Sequence, residues 1–112
     1  MITIWHNPRC SKSRQTLALV EEQGDVTVRR YLEDAPSADE LAEVQKLLGL
    51  KAIEMMRTKE KRFAELGLNK SDDDATLRAA MAENPILIER PIVLTNGKAA
   101  IGRPPEAVLD IL

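Results

Sequence analysis

The sequence predicts an α/β fold built on a mixed four-stranded sheet, and three observations predict it. A strand, a helix and a second strand open the chain, amphipathic helices fill its middle, and an Asn-Gly hairpin followed by a last helix closes it. A helix between two strands makes them parallel, whereas a two-residue hairpin makes them antiparallel. The order βαβ, helical block, ββα therefore calls for a mixed sheet with helices packed on it.

Taken in order, Ile2-Thr3-Ile4-Trp5 alternates and is rich in strand formers. A polar Asn7-Pro8 turn leads to a helix expected over 11–23, with Leu17 and Val20 on its buried face and Gly24 as its stop. The second strand is expected over 26–31. At Asp34-Ala35-Pro36 the character changes, and Ser37 with Glu40 makes a capping box ahead of Leu41, Val44, Leu47 and Leu48, a helix ended by Gly49. Further helical pieces are expected over 52–56, over about 58–66 before Gly67, and around Leu77 and Met81 before Asn84-Pro85. Ser71-Asp72-Asp73-Asp74 reads as the exposed entry of the last of these, where the macrodipole favours acids, rather than as a metal site. Ile92-Val93-Leu94-Thr95 and Lys98-Ala99-Ala100-Ile101 flank Asn96-Gly97, the pair a type I′ turn demands because both residues need positive φ. Pro104-Pro105 suits the first turn of a closing helix that buries Val108, Leu109, Ile111 and Leu112. The expected organisation is a single domain over 1–112 with a helical insertion at about 37–84.

Composition narrows the function. A chain of 112 residues with net charge -2 and 44% hydrophobic residues can bury a core of its own. Its one cysteine allows no internal disulfide, and Cys and His together are too few for a four-ligand zinc site, so a reducing cytoplasm is expected and no metal. No apolar run approaches the ~18 residues of a membrane span, and the N-terminal apolar stretch is far too short for a signal-peptide core. Three aromatic residues and a near-neutral balance argue against a nucleic-acid surface.

The chemistry concentrates in His6-Asn7-Pro8-Arg9-Cys10-Ser11-Lys12-Ser13-Arg14, which holds the only histidine and the only cysteine, and no acid. A cysteine directly before a helix faces unpaired N–H groups and the positive pole of the helix. Such positions lower a thiol pKa from ~8.5 to between ~3.5 and ~7.5. Arg9, Lys12, Arg14 and His6 reinforce the effect. His6 lies on the strand side of the loop, placed either to orient it, as a structural cap, or to stabilise the thiolate. The spacing rejects a Cys-x5-Arg phosphatase loop, because position 16 is Thr16, and a Cys-x-x-Cys dithiol, because position 13 is Ser13. What remains is a thiol nucleophile without its own resolving partner. Beyond the loop, Arg57 follows Met55-Met56, Arg90 precedes Pro91, and Arg103 sits between the hairpin and the last helix. Guanidinium forks at strand ends and helix starts match tetrahedral oxyanions.

"HNPRCSKSR" near the start, "ERPIV" before the hairpin and "GRPPEAVLDIL" at the end resemble the ArsC-type arsenate reductases that depend on glutathione and glutaredoxin, and the resemblance runs over essentially the whole chain. It implies a thioredoxin-like fold with a helical insertion and reduction of arsenate to arsenite. It makes Cys10 the residue that attacks arsenate, His6 the residue that favours its thiolate, and Arg57, Arg90 and Arg103 the ligands of the oxyanion. It matches Pro91 to the proline that thioredoxin-like folds hold cis beside the cysteine. It also implies no bound cofactor, with glutathione as co-substrate and glutaredoxin as partner. Cys10-Ser11-Lys12-Ser13-Arg14 resembles the chromosomal branch rather than the plasmid-encoded Cys-Gly-Thr-Ser-Arg form. Two other functions fit the same residues: a non-catalytic transcriptional regulator of the Spx type, and a general glutathione-dependent thiol oxidoreductase.

Overall fold

The computed structural model describes residues 1–112. Its internal contacts divide the chain into two compact units, Met1–Asp34 with Arg90–Leu112, and Ala35–Glu89. The second contains the residues 37–84 expected as a helical insertion.

The first unit is a four-stranded mixed sheet in the order β2-β1-β3-β4, from β1 (Ile2–Trp5), β2 (Val26–Arg29), β3 (Ile92–Thr95) and β4 (Lys98–Ile101). β1 runs parallel to β2, with Ile4 opposite Val28, and antiparallel to β3, with Ile4 opposite Val93. The crossover between β1 and β2 is helix α1 (Ser11–Glu21), as a parallel connection requires. β3 and β4 close as a two-residue hairpin in which Asn96 and Gly97 take φ of 54° and 69°, the type I′ geometry their sequence predicts. Period-two alternation puts Ile2 and Ile4 on one face, where they pack with Val20 of α1, Val93 of β3 and Val108 of the terminal 3₁₀ helix (Pro105–Ile111). Full burial of such a side chain is worth about 1.5–3 kcal/mol, so this cluster is the energetic centre of the unit.

Three features of this unit differ from the sequence expectation, the first being α1, which ends at Glu21 rather than at 23. β2 stops at Arg29, whose carbonyl accepts the last ladder bond from His6 N at 2.8 Å, and Arg30 O then accepts from Glu33 and Asp34 N, both 2.9 Å. The turn so formed, not a strand, carries Tyr31 into full burial. The closing helix is 3₁₀ rather than α, beginning behind two prolines that offer no N–H, and both Arg90-Pro91 and Arg103-Pro104 are cis.

The second unit holds α2 (Ala38–Leu48), α3 (Lys61–Glu65) and α4 (Asp74–Glu83), with 3₁₀ turns at Ala52–Met55 and Pro85–Leu87. α2 begins at the expected capping box and ends at Gly49 with φ of 68°. The piece expected over 58–66 shortens to α3 because Arg57 to Glu60 forms a separate turn, Glu60 N donating to Arg57 O. Asp73 caps α4 by accepting from Thr76 N at 2.8 Å, the role expected of the acidic run. α4 packs against α2 and both 3₁₀ turns. Gln45 ties the two helices, donating to Asp74 Oδ2 at 2.9 Å and accepting from Arg78 Nη1 at 2.7 Å. No helix is long and apolar enough to cross a membrane.

Candidate active site

Cys10 is the N-cap residue of α1: its backbone is extended, its carbonyl accepts the first helical bond from Arg14 N, and its own N–H donates to Asn7 O at 3.0 Å. Asn7 to Cys10 is thus a turn that swings the chain from the end of β1 into the helix. The turn is held from within by Asn7 Oδ1, which accepts from Arg9 N at 3.0 Å, and by Arg14 Nη1, which donates to Pro8 O at 2.9 Å. Cys10 makes no side-chain cap, so the first-turn amides stay available to an anion.

Cys10 is 9% exposed, and burial pushes the thiol pKa up. Burial is outweighed. The amide of Ser13, the hydrogen bond and charge of Arg90, and the amide of Lys12 all favour the ionised form, and the thiol lies below its ordinary value. Arg103 adds a second guanidinium: its Nη2 donates to Cys10 Sγ at 3.9 Å, while its Nε donates to Arg90 O at 2.8 Å. The carbonyl of one arginine therefore aims the side chain of the other. Within the sheet unit the structure brings together Cys10, Arg90 and Arg103, although Arg103 stands 93 residues from the cysteine. Pro91, in its cis form, is buried in the same unit.

His6 is 6% exposed and reaches the site through Ser13, the serine of the Cys-x-x-Ser spacing. Its Nδ1 lies 2.7 Å from Ser13 Oγ, and the same oxygen accepts from Asn7 N at 3.0 Å. Burial first, then the charges of Arg30 and Arg14, lower the histidine pKa, so the ring is neutral at neutral pH. A neutral ring whose Nδ1 accepts from the Ser13 hydroxyl satisfies all three groups at once. His6 thus fastens Ser13, whose own amide faces the sulfur. Ser13 is fully buried, and the signal that could have found it is a polar residue one helical turn into an otherwise basic loop.

Arg57 belongs to the other unit. Its guanidinium pairs with Glu60, Nη1 to Oε2 at 2.9 Å, and its N–H donates to Leu87 O. Met56, just before it, is extended and bridges to Ile88.

Known proteins resemble the chain over nearly its whole length. A protein named arsenate reductase from Neisseria meningitidis is 50% identical over 115 residues, spanning 99% of this chain and 97% of the relative. One from Haemophilus influenzae is 47% identical over 114 residues, covering 99% and 98%. The solved structure of an arsenate reductase from Vibrio cholerae superposes with a TM-score of 0.95 at 54% identity, covering 99% of this chain and 97% of its own. The thioredoxin-like α/β fold expected from the sequence is shared with these structures. The sequence model of the ArsC family matches residues 5–111, from the end of β1 to the end of the terminal helix, and the chain belongs to the ArsC family.

Proposed function

We propose that the protein reduces arsenate to arsenite at Cys10, with glutathione and glutaredoxin as external thiols. The observation that carries the reading is a lone buried sulfur, shifted toward thiolate, under the guanidiniums of Arg90 and Arg103. Two fixed cations beside a nucleophile suit a small tetrahedral dianion, whose charge they offset as the bond to sulfur forms. The names of the relatives support arsenate as that anion. Arg57 is the third oxyanion ligand in this reading, on the strength of the family resemblance.

The Cys10 thiolate attacks arsenic, and one oxygen leaves as water after protonation, so a sulfur–arsenic bond replaces an oxygen–arsenic bond. Closing the reaction takes two electrons, and one cysteine cannot form a disulfide within its own chain. A glutathione thiolate attacks the Cys10 sulfur. The sulfur–arsenic bond breaks with its electron pair on arsenic, and arsenite leaves as a mixed disulfide forms on Cys10. A glutaredoxin thiol takes the glutathione away and returns Cys10 to thiolate. One arsenate and two thiols give one arsenite, one disulfide and one water. The exposed Arg9 and Lys12 beside the loop attract the carboxylates of glutathione. We assign the protein to the cytoplasm, where glutathione is kept reduced.

Neither competing function uses these groups as well. A dithiol-switched regulator lacks its second thiol, because Ser13 stands there and is engaged with His6. A general disulfide reductase has no oxyanion for the guanidiniums of Arg90 and Arg103 beside the sulfur to bind. The test is NADPH-coupled arsenate turnover with glutathione reductase, glutathione and glutaredoxin present. Turnover is expected in the full mixture and absent with thioredoxin and its reductase alone, with a single glutathione adduct on Cys10 in protein trapped during the reaction. Sustained turnover on thioredoxin alone would sink the proposed reductant.

A further inference from the structure

Gly102 differs from every other glycine in the chain. Gly24, Gly49, Gly67 and Gly97 have positive φ and open space where a side chain would go, so they serve backbone conformation. Gly102 is outside the left-handed region, and what it supplies is room. A Cβ placed on it would stand 2.5 Å from Thr16 Oγ1, 3.1 Å from Thr16 Cγ2 and 2.8 Å from Pro91 Cγ. Neither neighbour gives way easily. Thr16 is fully buried and its hydroxyl donates to Lys12 O at 2.8 Å, while Pro91 is a buried ring.

Three chain segments therefore meet at contact distance: the second turn of α1, the start of β3 and the end of β4. Gly102 N donates to Pro91 O at 2.9 Å, which locks two of them together. Each of the two residues that meet α1 here has a site arginine as its chain neighbour, Arg90 before Pro91 and Arg103 after Gly102. Lys12, which holds Thr16, belongs to the helix turn whose amides face the sulfur. Any separation of these backbones moves both guanidiniums relative to Cys10, and the Arg103 contact at 3.9 Å has no slack to lose.

We propose that Gly102, seated on Thr16 and Pro91, is a positioning residue that sets the reach of Arg90 and Arg103 to the Cys10 sulfur and to a bound oxyanion. This rests on the reading of Cys10 as the reacting group. The glycine touches neither substrate nor sulfur. It acts by being small enough to let the three backbones close.

The experiment measures iodoacetamide alkylation of Cys10 against pH, and its protection by inorganic sulfate, in the full chain. In Gly102→Ala the alkylation midpoint rises by about one pH unit as the guanidiniums retreat. The sulfate concentration for half-protection rises about tenfold, within the loss that a 1 Å misplacement produces. Adding Thr16→Ala removes both threonine atoms from the contact and, although Pro91 Cγ remains, returns midpoint and protection part of the way toward wild type. Ser37→Ala, which removes a helix cap in the other unit, moves neither, and the recovery of both readouts with Thr16→Ala separates positioning from general destabilisation. Wild-type midpoint and protection in Gly102→Ala would overturn the proposal, as would shifts that Thr16→Ala does not reduce. Should Gly102→Ala fail to fold, Thr16→Ile crowds the same contact from the helix side, and an unchanged midpoint there overturns it equally. None of these readouts needs arsenate, so absence of arsenate turnover in the wild type would remove the proposed substrate and leave the positioning role standing.

Discussion

Helices α1 and α2 are each 11 residues long, and they begin in opposite ways. At α2, Ser37 Oγ accepts from Glu40 N at 3.1 Å, Glu40 Oε1 accepts from Ser37 N at 3.0 Å, and Asp39 and Glu40 complement the positive pole. At α1, Cys10 makes no side-chain cap, the first turn has no acid, and Lys12 and Arg14 add positive charge to a positive pole. A missing cap costs about 1 kcal/mol and unfavourable charge a few tenths more. The amides spent on stability in α2 are left in α1 for a sulfur anion. The start of α1 thus lacks the local stabilisation that α2 has, and the buried Ser13, bonded to His6 and Asn7, holds it from the side.

The largest effect should come from giving α1 a cap. Cys10→Ser places a preferred N-cap residue at the helix start, and arsenate turnover should vanish while stability rises by about 1 kcal/mol. The sign of the pH dependence adds a check. Because the folded thiol has a lowered pKa, its thiolate contributes stability above the unfolded thiol value of ~8.5, and that contribution is lost as pH falls through the folded value. The stability advantage of Cys10→Ser should therefore be greatest at low pH, shrink as pH rises from the folded thiol value toward ~8.5, and stay level above that, as read from denaturant midpoints across pH. A variant that keeps turnover would end the contrast between the two helix starts.

Ser13→Ala should act at an intermediate scale. It strips a buried partner from His6 Nδ1 and Asn7 N–H, so stability should drop by about 1–3 kcal/mol. With the loop loosened, the alkylation midpoint should move toward that of an ordinary thiol. An unchanged midpoint would reduce the His6–Ser13 pair to a structural tie.

The smallest effect on chemistry belongs to α2. Ser37→Ala should cost about 1 kcal/mol, lowering the melting temperature by about 4–8 °C. The Cys10 titration should not respond, and a response would mean that the two helix starts are energetically linked.

What the sequence made legible is local. The capping box at Ser37, the stop at Gly49, the Asn96-Gly97 turn and the cysteine before a helix each rest on chemistry within four residues, and each stands where it was read. The extent of β2 was not legible, since Arg30 and Tyr31 suit a strand by type, and only the turn bonds to Glu33 and Asp34 end it. Within the site, Cys10 could be chosen from its surroundings, and Arg90 and Arg103 from their positions beside strand ends. How they are aimed could not be: Arg103 is set by a carbonyl 13 residues away, and His6 is bonded to a serine seven residues on. Gly102 gave no signal at all, because its value lies in two side chains that sequence keeps far from it.

Trp5 is the only tryptophan, buried in β1 one residue before His6, and the guanidinium carbon of Arg29 lies 5.5 Å from the centre of its ring. All indole fluorescence therefore originates in the sheet unit, beside a fixed cation whose field shifts the excited-state dipole. Far-ultraviolet circular dichroism is weighted the other way, toward the unit that holds α2, α3 and α4. The two optical signals report on different halves of the molecule, and overlaying their melting curves distinguishes one cooperative transition from two without any added label.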